Sequence, residues 1–127
     1  MGKIKTILIV EDEKPAAKVL EERFHLEGFE PFVAEDGVEG LRMALEKRPD
    51  LILLDILMPK MDGLTMMQEL RKDPWGKNVP IMILTNLSAD DKVMRQILED
   101  QPSYYLLKTE WKLKDVVERA KKIFDMQ

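Results

Sequence analysis

Two stretches of the chain decide its fold: TILIVEDE at residues 6–13 and LILLD at residues 51–55. In each of them, an unbroken apolar run ends abruptly at carboxylates. Short unbroken apolar runs are typical of strands that are buried on both faces of a parallel sheet. In open α/β sheets, ligands bind beyond the carboxyl ends of such strands. The two stretches therefore predict an α/β fold and the edge of the sheet at which a functional site lies.

The rest of the chain alternates between strand and helix patterns. Further strands are predicted at residues 31–35, 80–84 and 104–107. Gly28 stands where the glycine that follows a helix is expected, and Ser88 is the predicted N-cap of a later helix. The alternation predicts right-handed crossovers and parallel pairing, and hence a five-stranded α/β sandwich. Five groups of apolar residues recur at helical spacing: Ala16, Leu20 and Phe24; Val38, Leu41 and Leu45; Leu64, Met67 and Leu70; Val93, Ile97 and Leu98; and Leu113, Val116, Val117, Ala120, Ile123 and Phe124.

Length and composition limit the class of protein. The chain has 127 residues, and we expect residues 1–127 to form a single domain. Hydrophobic residues make up 45% and charged residues 35%, which fits a soluble folded protein rather than a membrane protein or a disordered tail. The 24 acidic and 20 basic residues leave a net charge of −4, which disfavours nucleic-acid binding as the main activity. The apolar run at residues 7–10 is too short for a membrane span or a signal peptide, so a cytoplasmic location is expected.

The polar residues that follow the strands predict the chemistry. Glu11 and Asp12 follow the first strand, Asp55 the third, Thr85 ends the fourth and Lys108 follows the fifth. Three carboxylates at one sheet edge repel one another unless a cation lies among them. Because cysteine is absent and histidine occurs once, that cation must be held by oxygen, which favours Mg²⁺, Mn²⁺ or Ca²⁺. Mg²⁺ takes phosphate oxygens as further ligands, so the residues predict phosphoryl chemistry with Asp55 as the nucleophile.

Four segments also carry a resemblance to a known family. They are IVEDE at residues 9–13, DLILLDILMPKMDG at residues 50–63, ILT at residues 83–85 and YLLK at residues 105–108. In these segments the chain resembles the CheY-like receiver domain of bacterial two-component response regulators, over essentially its whole length. The resemblance implies a flavodoxin-like (βα)5 three-layer sandwich whose parallel sheet has the strand order 2-1-3-4-5.

The resemblance implies a role for each residue of the site. Asp55 accepts a phosphoryl group from a phosphohistidine on a sensor histidine kinase or on a phosphotransfer protein. Asp12 and Asp55 bind Mg²⁺, with Mn²⁺ as a second option, and Glu11 contributes through water. The backbone carbonyl of Leu57 is the remaining metal ligand that the protein supplies. Lys108 supplies a positive charge to the phosphoryl group.

The resemblance also implies a conformational switch. Thr85 is expected to move toward the phosphoryl group, and Tyr105 is expected to turn inward. The face that binds a downstream protein then lies at the last two strands and their flanking helices, and the chain works as a monomer or as a phosphorylation-dependent dimer. The chain departs from the family pattern after Lys108, because Thr109 stands where the family usually has a proline in a cis peptide.

Three other functions compete with this interpretation. A Mg²⁺-dependent phosphohydrolase generally needs a second carboxylate two residues after its nucleophile, and Leu57 holds that position. A carrier of flavin mononucleotide needs a loop after the first strand that binds phosphate, and the acidic residues 11–13 would repel phosphate. A phosphorylation-independent binding module has no need of three carboxylates and a lysine together. A signalling switch without catalytic turnover of other molecules is therefore the leading hypothesis.

Overall fold

A computed structural model describes residues 4–55, 63–85, 104–107 and 112–124, with the backbone alone described for residues 64, 85 and 104–107. The strands are β1 (Thr6–Val10), β2 (Glu30–Ala34), β3 (Leu51–Asp55), β4 (Ile81–Thr85) and β5 (Tyr104–Leu107). The helices are α1 (Lys14–Leu26), α2 (Gly37–Lys47), α3 (Gly63–Arg71) and α4 (Leu113–Ile123). The helix expected after Ser88 lies outside the described residues. Within the described part of the chain, none of the helices is long and apolar enough to cross a membrane.

The five strands form one parallel sheet in the order β2-β1-β3-β4-β5, which confirms the predicted topology. Alternate side chains of the strands point to opposite faces of the sheet, and each face carries its own apolar core. One core joins the sheet to α2 and α3 and contains Val10 and Leu54. The other joins the sheet to α1 and α4 and contains Ile9 and Leu53. The sheet is therefore covered on both faces, as the unbroken apolar runs predicted.

Helix α1 and helix α4 pack side by side on one face of the sheet. The buried residues of α1 are Ala17, Leu20 and Phe24, so the first member of the predicted apolar set is displaced by one position from Ala16. Gly28 follows α1 with φ 94°, the left-handed conformation that commonly ends a helix. Near this end of α1, the carboxylate of Glu27 accepts hydrogen bonds from Arg23 Nε at 3.0 Å and from Lys121 Nζ of α4 at 2.9 Å.

Helix α2 buries a face that the sequence pattern did not predict. Of the three apolar residues that predicted this helix, Leu41 packs against the core, whereas Val38 and Leu45 are 52% and 39% exposed. The residues of α2 that are buried are Gly37, Gly40, Met43 and Ala44. The helical spacing of these three residues therefore marks the helix but not its buried face.

The reason is the short distance between α2 and the sheet at Gly40. A Cβ atom added to Gly40 would lie 3.0 Å from a methyl carbon of Val10 in β1 and 3.0 Å from the sulfur of Met66 in α3. Nearly all real Cβ contacts are longer than this, so only a small residue allows the helix to approach so closely. The bulkier Val38 and Leu45 are left on the outer side of α2.

Candidate metal centre

Three carboxylates converge at the carboxyl edge of the sheet. Glu11 and Asp12 follow β1, and Asp55 is the last residue of β3, which lies beside β1. Glu11, Asp12 and Asp55 each offer one oxygen, and these oxygens all lie within 4.8 Å of one another. Glu11 is 4% and Asp55 is 7% exposed, whereas Asp12 is half-buried. The group is therefore closed toward the core and open toward solvent at Asp12.

The connection between β1 and α1 holds these acidic side chains in place. The amide of Glu11 donates to Ala34 O at 3.1 Å, so the chain is still bound to β2 one residue beyond the strand. The amide of Glu13 donates to the Glu11 carboxylate at 3.3 Å, and α1 then begins with Pro15 in its first turn. Proline is well suited to this position because its fixed φ matches a helix and its missing N–H is not needed there. Asp12 thus lies in a short connection that is fixed at both ends.

The surroundings of Asp12 disfavour its ionised form. Partial burial raises the pKa of the Asp12 carboxyl, and the hydrogen bond to the Glu11 carboxyl and the charges of Glu11 and Glu13 raise it further. A cation among these carboxylates removes the repulsion that causes part of this shift. The site therefore gains more from a bound cation than an isolated surface carboxylate would.

An apolar wall lies behind the two buried carboxylates, and sequence reasoning missed it. The small pocket beside Glu11 and Asp55 is lined by residues from β1, β3, β4 and α1: Ile9, Val10, Leu20, Leu53 and Leu84. A wall of this kind excludes water on the inner side and strengthens the electrostatic interactions at the site. Each of these residues belongs to an apolar pattern seen in the sequence, but their meeting behind the carboxylates depends on the packing of α1 onto the sheet.

The other predicted site residues are only partly within the described structure. Thr85 is the last residue of β4, which lies beside β3, so its backbone reaches the same edge of the sheet as Asp55. The backbone of Tyr105 lies within β5, next to β4. Leu57 and Lys108 lie outside the described residues, and so does the peptide between Lys108 and Thr109.

The arrangement of the acidic residues fits a hard divalent cation. Mg²⁺ prefers oxygen ligands and is usually bound by one or two carboxylates while it keeps several waters. Glu11, Asp12 and Asp55 supply the carboxylates, and the open side at Asp12 leaves room for water or for phosphate oxygens. A nitrogen or sulfur ligand is absent from this group, which disfavours softer transition metals.

Comparisons with known proteins agree with one another. Residues 7–121 match the family model of the response regulator receiver domain. The transcriptional regulatory protein PrrA of Mycobacterium tuberculosis is 40% identical over 116 residues, which are 91% of this chain and 48% of PrrA. The response regulator PleD of Caulobacter vibrioides is 38% identical over 103 residues, which are 80% of this chain and 22% of PleD. This chain thus spans less than half the length of either relative.

Solved structures give the same result. The receiver domain of the sensor histidine kinase PA1611 from Pseudomonas aeruginosa, solved with a magnesium ion coordinated in its active-site cleft, has a TM-score of 0.84 to this chain at 28% identity. The match covers 94% of this chain and 97% of that one. Because the family model spans nearly all of the chain and both kinds of relative agree with it, the chain belongs to the family of response regulator receiver domains.

Proposed function

We propose that the chain is a phosphoryl-accepting signalling switch whose acceptor is Asp55. Asp12 and Asp55 hold Mg²⁺ directly, and Glu11 holds it through water. The convergence of the three carboxylates within 4.8 Å is the observation that carries this proposal. Receiver domains bind Mg²⁺ in an acidic pocket and are phosphorylated by histidine kinases. The donor is therefore a phosphohistidine on a sensor histidine kinase or on a phosphotransfer protein.

The transfer replaces one phosphorus bond by another. A carboxylate oxygen of Asp55 attacks the phosphorus atom, the bond from phosphorus to the donor nitrogen breaks, and the leaving imidazole keeps the electron pair and takes up a proton. The group developing on Asp55 carries three charged or partly charged oxygens, and we expect Lys108 and the hydroxyl of Thr85 to stabilise it. Mg²⁺, held by Asp12, Asp55 and the backbone carbonyl of Leu57, would supply the positive charge that allows an anionic phosphoryl group to enter an acidic site.

The output of the switch is a change at the partner-binding face. Phosphorylation adds about −1.5 to −2 charges and three strong acceptor oxygens, which is enough to bias a loop between two arrangements. Thr85 moves toward the phosphoryl group and Tyr105 turns inward. The face beside β4 and β5 then binds a downstream protein, and the chain works as a monomer or as a phosphorylation-dependent dimer. The proposal includes a cytoplasmic location, where ATP supplies the phosphoryl groups.

Acetyl phosphate labelling tests the acceptor. Wild-type chain should gain the mass of one phosphoryl group when MgCl₂ is present and none when the metal is chelated. Asp55→Asn should abolish the gain, whereas Glu30→Gln removes a carboxylate from the start of β2, at the opposite edge of the sheet, and should leave it intact. Stoichiometric labelling of Asp55→Asn contradicts the assignment of the acceptor. MnCl₂ in place of MgCl₂ tests the second metal in the same assay.

Two further measurements separate this proposal from its competitors. Beryllofluoride with Mg²⁺ mimics a phosphorylated carboxylate, and it should change the amide spectrum of the chain around β4 and β5. A chain that responds to neither beryllofluoride nor Mg²⁺ is a phosphorylation-independent binding module. A chain that releases phosphate over many turnovers from a phosphomonoester is a phosphohydrolase.

A further inference from the structure

A second cleft lies at the edge of the sheet opposite the carboxylates. It has a volume of about 340 Å³ and runs between two connections, the one from α2 to β3 and the one from α3 to β4. Arg48 and Asp50 belong to the first connection, and Trp75 and Asn78 belong to the second. A volume of about 300 to 1,000 Å³ is usual for ligand sites, and this cleft is at the small end of that range. It takes no part in the proposed phosphoryl chemistry, which uses the other edge.

The walls of this cleft are fixed by hydrogen bonds. Arg71 Nη1 donates to the backbone carbonyls of Gly76 at 2.7 Å and Val79 at 2.8 Å, which closes the connection from α3 to β4 into a loop. Within that loop, Asp73 Oδ1 accepts from the amides of Trp75 at 2.9 Å and Gly76 at 3.1 Å. A cleft with fixed walls binds a ligand without a large ordering cost.

The cation at this cleft is held in an unfavourable backbone conformation. Arg48 has φ 47°, and its amide donates to Ala44 O at 2.9 Å, so it occupies the left-handed position that ends α2. Glycine is the usual residue at such a position and asparagine the next, because a side chain is strained there. Compared with glycine, arginine at this position lowers the stability of the fold and places a charged side chain at the cleft.

The guanidinium of Arg48 is available to a ligand, whereas the carboxylate of Asp50 is hydrogen-bonded to β1. Arg48 is exposed, and within residues 4–55, 63–85, 104–107 and 112–124 no hydrogen bond or ion pair of its side chain is found. Asp50, which also lines the cleft, directs its carboxylate toward β1, where Oδ2 accepts from the amide of Thr6 at 2.8 Å and from its hydroxyl at 3.2 Å. The exposed guanidinium is therefore the charged group of the cleft that is free to pair with a ligand.

Flat apolar groups lie beside this charge. Trp75 is half-buried and packs against the core below, while its remaining surface lines the cleft with Pro74 and Pro80. Tryptophan and arginine are the residues most enriched among those that dominate binding energy at interfaces. An indole and rigid prolines receive a flat side chain, and a guanidinium pairs with a carboxylate.

We propose that this cleft binds an acidic peptide segment of a partner protein. A glutamate or aspartate of the segment pairs with Arg48, and a neighbouring aromatic residue or proline packs on Trp75. A peptide fits better than an enclosed small molecule because Arg48, Pro74 and Asn78 are exposed along the rim and leave the cleft open. The interaction does not require phosphorylation of Asp55, so the chain would have a second partner surface that its phosphorylation state does not control.

Peptide titrations followed by amide NMR of the whole chain test the proposal. The probes are two capped tripeptides, acetyl-Phe-Glu-Pro-amide and acetyl-Phe-Gln-Pro-amide, which differ in one charge. We expect the signals of Trp75 and Asn78 to shift saturably and the glutamate peptide to bind about fivefold more tightly than the glutamine peptide, the upper range for an exposed ion pair. Equal affinities, or shifts confined to other parts of the chain, overturn the proposal.

One variant separates binding from folding. Arg48→Gly removes the guanidinium and relieves the left-handed strain, so the preference for the glutamate peptide should vanish while the thermal midpoint stays the same or rises. Arg42→Gln removes an exposed arginine that is paired with Glu46 on α2, and it should keep the full preference. A preference that survives in Arg48→Gly overturns the assignment of the cation. Binding of 3-phenylpropionate as tight as that of the glutamate peptide would mean that the site takes small carboxylates, which overturns the peptide assignment.

Discussion

Replacing Asp12 by asparagine should stabilise the metal-free chain and abolish its response to Mg²⁺. The oxygens of Glu11, Asp12 and Asp55 lie within 4.8 Å of one another. At that distance two unit charges repel by about 3.5 kcal/mol at an effective dielectric of about 20, and by about 0.9 kcal/mol at the dielectric of water. Asp12 is half-buried, so each of its two repulsions lies between these limits. Asparagine has the same shape without the charge.

At the lower limit the two repulsions sum to about 1.8 kcal/mol, and salt screens part of this, so the expected gain in the free energy of unfolding without metal is at least about 1 kcal/mol. For a domain of this size, that raises the thermal midpoint by about 3 to 4 °C. Wild-type chain should instead gain about 2.7 kcal/mol when Mg²⁺ exceeds its dissociation constant a hundredfold, and Asp12→Asn should gain nothing. The advantage of Asp12→Asn in the free energy of unfolding therefore shrinks or reverses when the metal is added.

Urea unfolding at neutral pH, with chelator or with MgCl₂, measures both effects. Glu30→Gln is the matched control, because it removes one exposed carboxylate at the other edge of the sheet and should stay within about 0.5 kcal/mol of wild type. An Asp12→Asn chain that is less stable than wild type in chelator would contradict the expected repulsion. Equal stabilisation of Asp12→Asn and wild type by Mg²⁺ would contradict the role of Asp12 as a metal ligand.

The pH dependence gives an independent check on the same residue. The pKa of Asp12 is raised above its ordinary value of 3.8, chiefly by burial, so the folded chain holds this proton more tightly than the unfolded chain does. Stability then falls as the pH rises from the unfolded pKa through the raised folded pKa. Metal-free Asp12→Asn should lose this fall, and a profile identical to that of wild type would contradict the assigned cause.

Three further predictions concern the fold. A Cβ atom at Gly76 would overlap a backbone carbonyl of α3, so Gly76→Ala should lower the free energy of unfolding in urea by at least about 2 kcal/mol. Gly28 has φ 94° and open space around it, so Gly28→Ala should cost only about 1 kcal/mol of backbone strain. Phe24→Ala should cost about 3 to 5 kcal/mol, because the ring is fully buried, and a smaller loss would mean that the core collapses into the cavity. Hydrogen bonds from Lys121 and Arg23 lower the pKa of Glu27 below its ordinary value of 4.5. The ionised Glu27 therefore stabilises the fold above pH 4.5, and this contribution is lost as the pH falls through the lowered pKa. When stability is measured against pH in the acid range, Glu27→Gln should flatten that part of the profile.

The sequence predicted the sheet and the position of the acidic site because both depend on local patterns. An apolar run that ends at Asp55 places a carboxylate at a strand end whatever the rest of the chain does. The buried face of α2 was not predictable in this way, because it depends on the distance between Gly40 and Val10, which lie on different elements. The single domain over residues 1–127 and the roles of Thr85 and Tyr105 stay predictions.

The second cleft was not predictable from the sequence for a related reason. Arg48 and Trp75 belong to connections that carry no periodic pattern, and only the parallel arrangement of β3 and β4 brings those connections together. Arg71 forms part of a helix pattern and yet its main described contacts are with the loop that follows α3. Tertiary contacts of this kind leave no trace in the spacing of apolar residues.

Two positions of this chain lower its stability, one just after β1 and the other in the connection before β3. Asp12 carries a charge that its neighbours disfavour, and Arg48 holds a left-handed conformation that glycine would adopt without strain. Residues that lower the stability of a fold are expected at positions where binding requires them. The two variants Asp12→Asn and Arg48→Gly should therefore share one result, a fold at least as stable as wild type that has lost a ligand. A loss of stability in both variants would mean that Asp12 and Arg48 stabilise the fold, and it would contradict a binding role for them.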